Sequence, residues 1–163
     1  MLKPTPLSLQ NPLRTKVSSA VELSFVIYRS TARKALVETT ALEILAESLR
    51  NNPKEGLTGF LHVERDCFLQ YLEGPPGPLR RTLVRIQKDR RHKEFLILAE
   101  GSIDERFFPD WDMGQIPCAN FPTDGILADK SWLRPDPDID PLPLIRAFAA
   151  HARQQGGFDI SEI

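Results

Sequence analysis

Two short apolar runs, GLTGFLHV (residues 56–63) and CFLQYLEG (67–74), lie on either side of the charged tripeptide Glu64-Arg65-Asp66. Runs this short, rich in aromatic and branched residues and separated by so little, read as two antiparallel strands joined by a tight turn. A hairpin alone buries too little to stand in water, so its apolar faces must be covered by the segments on either side.

Those segments supply the cover. Before the hairpin, VELSFVIY (21–28) reads as a strand ending at Tyr28, and Thr40 to Glu43 fits a capping box that starts a helix. Leu42, Leu45 and Leu49 continue at helical spacing, predicting a helix over about 40–52 that stops before Pro53 and Gly56. After the hairpin, the proline-glycine cluster at 74–78 punctuates the chain. Leu79, Leu83 and Ile86 then mark a second amphipathic helix ending near Arg90, with a basic outer side. Phe95 to Ala99 reads as a further strand, and Trp111 to Ile116 as a last, irregular one. The order βαββαββ predicts an α+β, ferredoxin-like mixed sheet with both helices on one face.

The ends are different. Residues 1–20 have neither helical nor strand period and read as a flexible tail. The core spans 21–116, and 117–163 reads as a proline-rich linker followed by a short helix. The stripe Leu144, Ile145, Phe148 and Ala149 should pack that helix on the sheet face left bare by the other two. A chain of 163 residues has room for one such domain with extensions.

Composition narrows the function. With 21 Lys+Arg against 22 Asp+Glu, the chain lacks the bulk positive charge of a nucleic-acid binder, and the basic run from Arg80 to Lys93 suits a solvated helix face. No apolar stretch is long enough to span a membrane and no secretory signal precedes the first strand, so the expected location is the cytoplasm, with Cys67 and Cys118 as reduced thiols. His62, His92 and His151 are dispersed, without the spacing of a metal site.

The informative residues are Tyr28, the pair Asn51-Asn52, Gln70 within Phe68-Leu69-Gln70-Tyr71-Leu72, and Trp111-Asp112-Met113. With the intervening RNNPKEGLTG, FLQYLEGP and FPDWDMG, residues 22 to about 115 resemble the BLUF family, blue-light sensors that use flavin adenine dinucleotide. The separations of Tyr28, Asn52, Gln70 and Trp111 agree with the family without a gap. A flavin is flat and apolar at one end and presents a carbonyl, an N–H and a second carbonyl along its pyrimidine edge. A carboxamide both donates and accepts, so Asn52 suits that edge and Asn51 the other carbonyl. By itself the pair better suits a helix C-terminus, where asparagine tolerates left-handed backbone, and the family resemblance reverses that order for Asn52. Gln70, among apolar neighbours on a central strand, needs a polar partner. Alternation places it on one face with Phe68 and Leu72, opposite Leu69 and Tyr71.

The first and third strands are central neighbours in this plan, so Tyr28 should meet Gln70. A strand tyrosine is also commonly just a core residue with its hydroxyl at the rim. The resemblance implies more: that Tyr28 gives an electron and a proton to the excited flavin, and that back-transfer leaves Gln70 rotated or tautomerised. The changed hydrogen bond to the flavin then red-shifts its absorption until the dark state returns. It further implies that Ile44 and Ile86 hold the ring from its two sides and that Arg85, Asp89 and His92 hold its polar edge or ribityl chain. Trp111 and Met113 would report the change. The implied cofactor is FAD, with FMN and riboflavin as alternatives. The implied protein is a sensor rather than an enzyme, signalling to a separate protein effector or through homo-oligomerisation. The competing class is a light-insensitive ferredoxin-like ligand-binding or interaction module. A flavin-dependent redox enzyme would need a substrate acid/base pair and a nicotinamide fingerprint, neither of which the sequence offers.

Overall fold

The computed structural model describes residues 21–33 and 37–116 together with the helical residues Arg146, Ala149 and Ala150. In chain order the elements are β1 (Leu23–Ala32), α1 (Val37–Glu55), β2 (Thr58–Glu64), β3 (Cys67–Gly74), α2 (Pro76–Gln87), β4 (His92–Ile103) and β5 (Gly114–Ile116). They form one sheet in the order β4-β1-β3-β2-β5. The first four strands are antiparallel, and β5 joins the edge parallel to β2, with Phe60 opposite Gly114. This is the ferredoxin-like plan with one short extra strand.

Several boundaries move. β1 continues past Tyr28 to Ala32 because it is hydrogen-bonded on both sides. Arg29 and Ser30 pair with Leu69 and Phe68 of β3, so these polar residues are carried along by a backbone that has partners. Helix α1 begins at Val37, which leaves Thr40 as a buried residue inside the helix rather than its cap. It also runs through Pro53, which removes one intrahelical hydrogen bond only in the last turn. The true stop is Gly56, whose φ of 66° supports a Schellman closure. The Leu57 N–H donates to the Asn52 carbonyl at 2.9 Å and the Gly56 N–H to the Pro53 carbonyl at 3.2 Å. α2 ends at Gln87, before Arg90, while β4 is much longer than 95–99 because its register against β1 extends on both sides of that run.

The sheet divides the core in two. On the helix face Val26, Leu61, Phe68 and Leu72 pack with Leu45 of α1 and Leu79 of α2. On the opposite face Phe25, Ile27, Phe60, Leu69 and Tyr71 pack with Phe108, and the helical Ala149 is buried among them. The Arg146 guanidinium lies over the Phe107 ring, 5.8 Å from its centroid. The tail at 1–20, the linker, and Leu144, Ile145 and Phe148 of the expected stripe lie outside the described residues. Among the described residues, no helix is long and apolar enough to cross a membrane.

Candidate functional site

The site is built on the two central strands. Tyr28 and Gln70 are direct partners in the β1–β3 register, and both are buried, at 4% and 1% exposure. The Tyr28 hydroxyl donates to Gln70 Oε1. Burial pushes the phenol's pKa well above its ordinary value, and the negative charge of Asp89 pushes it further, so the hydroxyl is held as a proton donor. The Tyr28 ring is fixed from β4 by Phe95, with centroids 4.5 Å apart.

The other end of the same amide is also assigned: Gln70 Nε2 donates to the Met113 sulfur at 3.5 Å. Sulfur is a weak acceptor, so this end is held less firmly than the end facing Tyr28. Met113 is buried in the helix-face core, whereas Trp111 packs on the opposite face against Phe108, ring centroids 5.6 Å apart. The structure therefore places Met113, and not Trp111, beside Gln70. The indole lies so close over Gly114 that a Cβ there would stand 1.8 Å from Trp111 Cε3.

Above this floor, α1 and α2 border a narrow cleft of ≈ 50 Å³. Ile44 of α1 and Ile86 of α2 form its walls, and Asn51, Asn52, Arg85, Asp89 and His92 border it along with Tyr28 and Gln70. Every residue that the sequence nominated as holding a cofactor thus borders one cleft, while Trp111 and Met113 lie outside its lining. Asn52 is buried, and its Nδ2 donates to the Asp112 carbonyl at 2.7 Å. That ties the end of α1 to the residue preceding Met113, a tie the sequence did not predict.

The mouth is charged. Asp89 accepts from Arg91 Nε at 2.9 and 3.0 Å and from the Arg91 backbone N–H at 2.9 Å, and Arg91 reaches across to Glu47 of α1 at 2.6 Å. Burial disfavours the Asp89 carboxylate, but the hydrogen bonds and charge of Arg91 outweigh it and hold the carboxyl below its usual range. His92 is buried at 6% exposure. Burial lowers its pKa, against the pull of Asp89, and its Nδ1 has no hydrogen-bond partner among the described residues. Arg85 leans on Thr82 Oγ1 at 3.5 Å.

Glu47, Ser48 and Arg91 also line the cleft, and sequence reasoning missed them. A signal existed for the first two: Ile44, Glu47, Ser48 and Asn51 fall at helical spacing on one face of α1. Arg91 was concealed within the basic run.

The residues present fit a flat, amphipathic guest. The walls are aliphatic, the floor offers an amide and a phenol, and a buried imidazole nitrogen that still wants a partner stands at the border.

Comparison with known proteins agrees. Residues 23–114 match the family model BLUF, described as sensors of blue-light using FAD. The photoactivated adenylate cyclase subunit beta of Euglena gracilis is 27% identical over 92 residues, which is 56% of this chain and 11% of that protein. This chain therefore spans about a tenth of the length of such relatives. Among solved structures, the dark state of BlrB, a BLUF protein, is 30% identical with a TM-score of 0.67, covering 80% of this chain and 98% of BlrB. BlrP1 of Klebsiella pneumoniae, solved with FMN and cyclic diGMP, is 30% identical with a TM-score of 0.58, covering 78% of this chain and 34% of BlrP1.

Proposed function

The chain belongs to the BLUF family of blue-light sensors that use flavin, and on that premise we propose that the cleft between α1 and α2 holds the ring of FAD and that Tyr28 and Gln70 carry its photochemistry. The observation that carries this reading is the buried Tyr28 to Gln70 hydrogen bond at the floor of the cleft. FAD is the flavin named in the family's description, and FMN is the alternative, since BlrP1 was solved with it.

In this reading Ile44 and Ile86 sandwich the ring, Asn51 and Asn52 meet its polar edge, and Arg85, Asp89 and His92 hold the polar side at the mouth. The flavin supplies the absorption of blue light and an acceptor for one electron. Tyr28, once short of an electron, becomes a strong acid, and its proton has a receiver already in place at Gln70 Oε1. Return of the electron and the proton restores the Tyr28 phenol and leaves Gln70 rotated or tautomerised. The two ends of an amide are similar in shape and opposite in hydrogen-bonding sense, so the exchange reverses the floor's donor and acceptor pattern at nearly constant volume. Because Nε2 also holds Met113, the same rotation breaks the tie to the segment before β5 and passes the change to the sheet edge. The output runs to a separate protein effector or to a change in self-association.

The test is the visible spectrum of the purified protein before and after blue light. A yellow protein whose absorption shifts reversibly to the red supports the sensor. A colourless protein that also refuses added flavin overturns the assignment in favour of a light-insensitive module.

A further inference from the structure

Glu73 lies on the same strand as Gln70 but serves the other face of the sheet, and its side chain is fully buried. A carboxylate in such a place is costly unless its oxygens are satisfied. They are: Glu73 accepts from the Tyr71 hydroxyl at 2.9 Å, Thr58 Oγ1 at 3.1 Å, and the backbone N–H groups of Phe107 at 2.9 Å and Phe108 at 2.7 Å. Arg106, just before those two residues, donates to Thr58 Oγ1 at 2.8 Å and to the Gly56 carbonyl at 2.6 Å. The start of the 106–113 segment is thus pinned to β3 and to the end of α1.

The far end of that segment is the part that meets the switch. The Trp111 carbonyl accepts from the Gly59 N–H at 2.9 Å, and Met113 receives the Gln70 amide. One strand therefore grips both ends of one segment, through Glu73 at its beginning and Gln70 at its end. The Gln70 grip is a single weak contact to sulfur, whereas Glu73 supplies charge-assisted bonds to two successive backbone amides.

We propose that Glu73 is a positioning residue that seats the 106–113 segment, so that Met113 stands against Gln70 in the dark and returns there after light. This rests on the photosensor reading above. Glu73→Gln replaces one acceptor oxygen with an NH₂, which faces a backbone N–H or a hydroxyl donor and cannot accept from it, while leaving every group in the cleft in place.

The experiment uses the full flavin-loaded chain and compares wild type with Glu73→Gln in two measurements, recovery of the spectrum after blue light and hydrogen exchange in the dark. Expected are retained flavin and an unchanged dark spectrum, with recovery slowed about fivefold and amide exchange across 106–113 accelerated about tenfold, as loss of one or two net hydrogen bonds implies. Exchange in β1 and β3 stays as in wild type, which separates seating of the segment from general loss of stability. Recovery as fast as wild type, or wild-type protection of 106–113, overturns the proposal. Should Glu73→Gln fail to fold, Arg106→Lys removes the forked contacts to Thr58 and Gly56 and must move both measurements in the same direction. A wild-type protein with no light-induced shift overturns the sensor reading itself, and this is seen before any variant is made.

Discussion

Tyr28 and Gln70 face each other across the two central strands, and the hydroxyl of one donates to the amide oxygen of the other. That bond fixes more than a distance. With Oε1 committed to a donor, Nε2 must point the opposite way, where Met113 accepts it. The orientation of the amide is therefore set at both ends by neighbours of opposite hydrogen-bonding sense.

Tyr28→Phe removes the hydroxyl and little volume. The variant keeps its flavin and loses the light-induced red shift, as read by absorption spectra before and after illumination. It leaves Gln70 Oε1 short of its donor and is less stable by about 1–3 kcal/mol in urea unfolding. A variant that photocycles normally shows that another residue is the electron donor.

Gln70→Glu is nearly isosteric but, when ionised, has acceptors at both ends and nothing to offer Met113. It binds flavin and fails to form the usual shifted state. An unaltered light response would remove the amide from the relay.

Gly114→Ala tests the seat of Trp111. Its methyl would lie 1.8 Å from the indole, so the ring must leave its place against Phe108 or β5 must move away from β2. The expected cost is about 1–3 kcal/mol, typical of overpacking. Thermal unfolding and the near-ultraviolet dichroism of tryptophan report it, and a wild-type signal in both contradicts the packing described.

His92 gives the stability a pH dependence. Burial holds its pKa below the ordinary 6.5, so the unfolded chain binds its proton more readily than the folded one. Its contribution is fully present above pH 6.5 and is lost as the pH falls through the folded value. Asp89 acts lower: Arg91 holds its pKa below the ordinary 3.8, so its contribution is present above that and is lost as the carboxyl protonates. His92→Gln should therefore flatten the fall in denaturant midpoint below pH 6.5 and leave the steeper acid limb. An equally steep fall in the variant would place the titration elsewhere.

Much of the site was legible because it depends on period. Alternation along 67–74 put Phe68, Gln70 and Leu72 on one face, and the structure has Phe68 and Leu72 in the helix-side core with Gln70 at the cleft. A tight turn across Glu64-Arg65-Asp66 was equally plain, though not its type; Glu64 pairs with Cys67, so the connection is Arg65 and Asp66, and Arg65 takes a positive φ of 56° there. What escaped was set by tertiary partners. Thr40 had the local signature of a cap but was overridden by burial within a longer helix. Asn52 read as a helix-end or ligand amide, and its bond to the Asp112 carbonyl spans a distance no local pattern encodes. Glu73 carried no signal of its own in the sequence. Its burial depends on the loop that folds back over it, and nothing near position 73 announces that loop.

The edge formed by β5 has its own implication. It is three residues long and, among the described residues, pairs with β2 alone, so peeling it away sacrifices a few ladder bonds and leaves the four-stranded body intact. Departure of that short piece would bare the outer rim of β2 at Phe60 to His62, a row of backbone groups able to accept a new strand. A molecule built this way has its cheapest deformation next to its most sensitive side chain.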